Sequence, residues 1–176
     1  MTKKSIKLNS GKIISIRKEL DTTINKYWKI IRSENVISKK LNNNYDLKQL
    51  YNEITQMQLK RIKIKGILFN LNMGITTFDY EEFKKTNNYT IFAAGEIKET
   101  IAQLKMIKTL NPTEKSKKGL KGLGKKETFT SAKISSLINT LQIKANKYDA
   151  ELEKFNNNTE IDITEELADF EEYIAA

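Results

Sequence analysis

A single proline, Pro112, stands in 176 residues, and glycine occurs only seven times. So few breakers leave the backbone free to run in long helices and argue against an all-β fold with its many turns. The apolar residues carry the matching period. Ile13, Ile16, Leu20, Ile24, Tyr27 and Ile31 are spaced three or four apart. That spacing predicts a helix from about Gly11 to Val36 with one apolar stripe, Trp28 lying beside it.

Asn42, Asn43 and Asn44 read as a turn, because asparagine competes for backbone hydrogen bonds. Asn44 or Asp46 can cap the next helix. Leu47, Leu50, Ile54, Met57, Ile64, Leu68 and Leu71 then keep a heptad spacing that Arg61 alone interrupts. The segment resembles a coiled-coil strand; an ordinary bundle helix is the alternative, and an antiparallel hairpin with the first helix satisfies both. Arg61 in such a seam can set register or partner. It can also carry its charge out to the edge on its long stem, which is the favoured expectation.

Residues 72–92 break the pattern with Asn72, Gly74, Asn87 and Asn88, and Asp79 with Glu82 suits a capping box on one short turn. Phe69, Phe78, Tyr80, Phe83, Tyr89 and Phe92 crowd this stretch. They read as an aromatic plug closing one end of the helices. A base-stacking platform is disfavoured, because Asp79, Glu81 and Glu82 would repel phosphates. A third helix is expected from about Ile91 to Leu110, ended by Asn111-Pro112. Residues 113–128 form a lysine-rich loop, and a fourth long helix runs from about Ser131 to Asn156 on Ile134, Leu137, Leu141, Ala145, Tyr148, Leu152 and Phe155. Thr164 caps a last short acidic helix with Leu167, Phe170 and Ile174 on its stripe.

The fold expected is all-α: about four long amphipathic helices in antiparallel or coiled-coil hairpins, a short aromatic-rich insert and a short acidic C-terminal helix. Residues 1–159 form a basic bundle domain and residues 160–176 an acidic arm. The arm holds seven acids and no base; setting these aside from the net charge of +9 leaves residues 1–159 at +16.

The chain has neither cysteine nor histidine. That removes disulfides, thiolate nucleophiles, Ser-His-Asp triads and most zinc sites. No catalytic residue, metal ligand or cofactor is expected. Gly119-x-x-x-x-Gly124-Lys125 matches most of a P-loop, but Lys126 stands where the Mg²⁺-binding hydroxyl belongs, and lysines precede it instead of an apolar strand. Lys115, Lys117, Lys118, Lys121, Lys125 and Lys126 can instead follow a polyanion backbone without reading sequence. A solvated linker is the plainer reading. No apolar run reaches a membrane-spanning length, and the N-terminus lacks the apolar stretch of a signal peptide. The Lys-, Asn- and Ile-rich composition is that of an AT-rich genome, bacterial or phage. Cytoplasmic residence is expected, or a place in a virion for a phage protein.

Three stretches resemble the septicolysin-like family of small helical bacterial proteins. Arg17-Lys18-Glu19-Leu20-x-x-x-Ile24 is similar to its opening helix. Ile67-x-x-Asn70-x-Asn72 is similar to its I-N-x-T-N turn. Tyr148-Asp149-x-x-Leu152-x-x-x-Asn156-x-x-Thr159-Glu160-Ile161, preceded by Phe129, resembles its closing pattern. Asn157 replaces the family's tryptophan, and an acidic stretch after the first helix gives way to Ser38, Lys39, Lys40 and the asparagines. The resemblance implies a helical, intracellular protein and carries no catalytic residues.

The functional expectation is a non-enzymatic assembly protein, a homo-oligomer or a subunit docking on a protein partner, with no small-molecule substrate inferred. Leu167, Phe170 and Ile174 are its candidate docking arm, and Arg61 its register residue. A sequence-independent nucleic-acid binder is the alternative.

Overall fold

The structure, a computed structural model, describes residues 7–110 and 124–160. Of these residues 72 % are helical, so the all-α expectation holds at that level. Among the described residues the order is α1 (Ser10–Glu34), β1 (Val36–Ser38), α2 (Leu47–Asn72), α3 (Tyr80–Phe83), α4 (Asn87–Lys105), β2 (Lys125–Glu127) and α5 (Ser131–Asn158). No helix among them is long and apolar enough to cross a membrane.

Each helix starts where a side chain satisfies its free N–H groups. Asn9 accepts from the Lys12 amide, Asp46 from Lys48 and Gln49, Asp79 from Glu81 and Glu82, Thr86 from Tyr89, and Thr130 from Lys133. Thr86 explains why α4 begins four residues before the expected Ile91. Asn87 and Asn88 are not breakers but its first turn, where N–H groups need no helical partner. The stop of α2 is a reversal at Gly74, whose φ of 74° an L-residue rarely adopts. The Gly74 amide donates to the Leu71 carbonyl and the Ile75 amide to that of Asn70, closing the helix end.

α1 packs on α2, α2 on α4, and α4 on α5. Neighbours run antiparallel: Asp21 meets Arg61 and Trp28 meets Tyr51, while Arg61 meets Glu96 and Gln58 meets Thr100. Two apolar clusters result. The larger gathers Ile24, Trp28, Ile31, Ile54, Leu104 and Phe129 where α1 and α4 end and α5 begins. Trp28 is fully buried at its centre, not beside the stripe as the spacing implied. It packs edge-on against Tyr51, which packs on Phe129. The smaller cluster is the aromatic one. Phe83 is buried against Phe78, Tyr89 and Phe92, which accords with a plug more than with a set of free stacking faces. Gly66 makes room for it, since a Cβ there would sit 2.6 Å from the Phe83 ring.

Four further features differ from expectation. α1 ends at Glu34, and Val36–Ser38 leave it as a strand. α4 ends at Lys105, because Ile107 and Leu110 turn inward and Asn35 holds the Lys108 carbonyl. The buried face of α2 follows Gln58, Arg61, Ile62 and Gly66 in its second half rather than Met57, Ile64 and Leu68. A straight helix drifts off a seven-residue repeat, and this face turns from α1 towards α4. Finally, Lys125–Glu127 are not loop but a strand paired antiparallel with β1, Ile37 opposite Lys126. The β-branched Val36 and Ile37 favour that pairing.

Candidate functional site

The interior between the two apolar clusters is polar. Arg61 is buried there at 6 % exposure. Its Nε donates to Glu96 Oε1 at 2.8 Å and Oε2 at 3.0 Å, Nη1 to Asp21 at 2.8 Å, and Nη2 to Glu99 at 2.6 Å and to Glu96. Lys65 donates to Glu96 Oε1 at 2.8 Å. Beside them Gln58 donates to the Thr100 hydroxyl at 2.7 Å, and that hydroxyl donates to the Glu96 carbonyl. Arg61 therefore does not carry its charge to the edge, because three carboxylates on α1 and α4 meet it inside. Burial alone would lower the guanidinium pKa. Hydrogen bonds to Glu96 and Asp21, with the charges of Glu96 and Glu99, outweigh this and hold it above its usual value.

Asn35 forms a second buried hub that the sequence reading missed. Its Nδ2 donates to the carbonyls of Lys108 and Phe129, and its Oδ1 accepts from the Phe129 amide at 2.7 Å. Its backbone N–H donates to Ile31 and its carbonyl accepts from Thr128. One residue thus ties the end of α1 to the segments around α4 and α5.

Among the concavities that open to the surface, two flank the ends of this interior. The first lies where α1 begins and α2 ends. It encloses about 830 Å³ between Leu8, Ile13, Ile67, Leu71, Ile75 and Phe78. Around it Met73 is 65 % exposed and Ile75 47 %. The second is a trough of about 230 Å³ with α4 as its floor. Tyr51, Thr55 and Leu59 of α2 form one wall, and Leu141, Lys144 and Tyr148 of α5 form the other. Burial first, then the nearby Tyr89, push the Tyr148 hydroxyl pKa up, and burial does the same for Tyr51. α5 is the longest helix, yet only Ile134 and Ala145 of it are buried.

Of the lysines singled out in the sequence, Lys125 and Lys126 sit in β2, with side chains on opposite faces of a paired strand. Lys115, Lys117, Lys118 and Lys121 lie outside the described residues, as do Leu167, Phe170 and Ile174. The described site residues are therefore not brought together: Arg61 is interior, and the strand lysines lie at the far end of the first cluster. Among the described residues, no group of three or more acidic side chains is placed to hold a metal ion.

The fold and these sites define an all-α protein with a buried ionic layer and surface concavities at its helix edges. Compared with protein-family models, curated proteins and solved structures, the chain matches none.

Proposed function

We propose that this chain is a non-enzymatic assembly subunit, a helical bundle of antiparallel hairpins that self-associates or docks in a larger complex, such as a ring or connector of a virion. The observation that carries this reading is the concavity at the start of α1 and the end of α2, where apolar residues are joined by Lys7, Asn70, Thr76 and Thr77. Leu8 and Ile75 leave large apolar side chains exposed in the recess, and Met73 near Ile75 in sequence is exposed too, the form in which a docking partner finds both area and shape. Arg61 serves in it as the register residue. Bidentate pairing to Glu96 and a further bond to Asp21 reward one alignment of three helices and leave a buried charge unpaired in any other.

Light scattering coupled to size exclusion, at low and high salt, tests the reading. A fixed oligomer that survives salt and is dispersed by Met73→Asp with Ile75→Asp is the expected result. A monomer at both salts would remove self-association.

The charge of residues 1–159 supports a second reading, binding of nucleic acid through its backbone. It would draw on Lys115, Lys117, Lys118, Lys121, Lys125 and Lys126. Removing residues 160–176 should then strengthen binding, and affinity should fall steeply with salt. Unchanged affinity on truncation would count against it.

A further inference from the structure

We propose that the trough between α2 and α5 is the seat of the chain's own C-terminal segment, residues 161–176, gripped through Leu167, Phe170 and Ile174. It gives Leu167, Phe170 and Ile174 a seat on their own chain instead of on a partner, and leaves the concavity at the other end of α2 to the assembly reading.

The trough is a place for a helix. Its two walls are helices, and its floor on α4 is made of short side chains, Ala93 and Thr100, with Ile97 beside them. Leu59 on one wall is 41 % exposed, and Leu141 and Tyr148 on the other are only partly buried. Apolar side chains at that spacing on facing helix edges lose water only when a third apolar stripe lies between them.

The chain's end has the reach and the period. α5 continues from Tyr148 to Asn158, about 15 Å beyond the trough. Residues 159–164, if extended, cover about 20 Å, enough to return to the level of Tyr148. From there a helix would run antiparallel to α5. Leu167 to Ile174 spans seven residues, and so does Leu141 to Tyr148. At ~1.5 Å per residue each stripe is about 10 Å long, so the three apolar side chains match the wall they would face.

The charges agree. The segment from Glu160 onward carries seven acids and no base. The one acid in the trough, Glu96, is already engaged by Arg61 and Lys65 and projects no unpaired charge at the newcomer. Lys144 on the α5 wall makes no ion pair among the described residues. With Leu167, Phe170 and Ile174 facing down, Glu166 and Glu171 fall on either side of the stripe, at the height of such a rim lysine.

The absence of cysteine makes the test clean. Leu59→Cys is combined with Phe170→Cys in the full chain, and the dilute protein is treated with a short bis-maleimide. The control pairs Phe170→Cys with Ile143→Cys, since Ile143 is 71 % exposed and points away from the trough. Thr55→Cys with Phe170→Cys repeats the trough measurement from a second, exposed site. Cross-linking within one chain should be about tenfold faster from Leu59 and Thr55 than from Ile143, reflecting the raised local concentration of a docked segment. Equal rates from all three positions, no trough cross-link, or cross-links only between chains would each overturn the proposal. The last result would assign the trough to a second copy.

Discussion

Asn35 binds three separate stretches of chain through one short side chain and its own backbone. It uses both amide hydrogens, its Oδ1 and both backbone groups, all at a site 1 % exposed. Asn35→Ala strands the Phe129 amide and two carbonyls in the interior, so denaturant unfolding should show a loss of about 2–3 kcal/mol. Arg61→Ala should cost about 3 kcal/mol by the same measurement, because Glu96 would keep only Lys65 as an ionic partner. Arg61→Met together with Glu96→Leu should cost far less, since no charge is then left behind. Gly66→Ala runs against helix propensity: alanine favours a helix by about 1 kcal/mol, but here its methyl meets the Phe83 ring and the variant should be the less stable. Of these three roles only Arg61's, as a residue able to set register, was open in the sequence, and its burial was not. Asparagine after a helix signals a stop, not a buried hub, and arginine in a heptad seam signals an edge unless its carboxylates are known to lie inside. Gly66 shows its purpose only once Phe83 is packed on it.

At the scale of elements, the caps and stripes were the legible part. Asp46, Asp79 and the spacing around Ile13, Ile24 and Ile31 locate α1, α2 and α3 because these signals are local. β1 and β2 were not legible, since each is three residues long and its partner lies some ninety positions away. The same holds for the trough, which exists only because α2 and α5, never adjacent in sequence, flank α4. Its tyrosines give it a pH signature. Tyr51 and Tyr148 have pKa values raised above 10.0 in the fold, by burial first. Below about pH 10 both folded and unfolded chains hold these protons and the contribution is complete. Above it the unfolded chain ionises first, so thermal stability should fall as pH rises through the folded-state values. Tyr51→Phe with Tyr148→Phe should show a shallower fall in the melting temperature over that range.

Among the described residues α1 pairs with α2 and α4 with α5, and besides the shared apolar core two polar ties join the pairs. The ionic layer at Arg61 joins α1, α2 and α4, and the knot at Asn35 joins the chain before β1 to the chain after β2. Each pair brings together residues about 20–50 positions apart, whereas Asn35 and Phe129 are 94 residues apart. Closing a loop of that size is the step that chain entropy delays. The knot should therefore form after the rate-limiting barrier to refolding, when the hairpins are already docked. In stopped-flow measurements Asn35→Ala should leave the refolding rate nearly unchanged and speed unfolding by nearly the whole of its destabilisation. A side chain that acts in that way sets how long the native state lasts rather than how quickly it is reached.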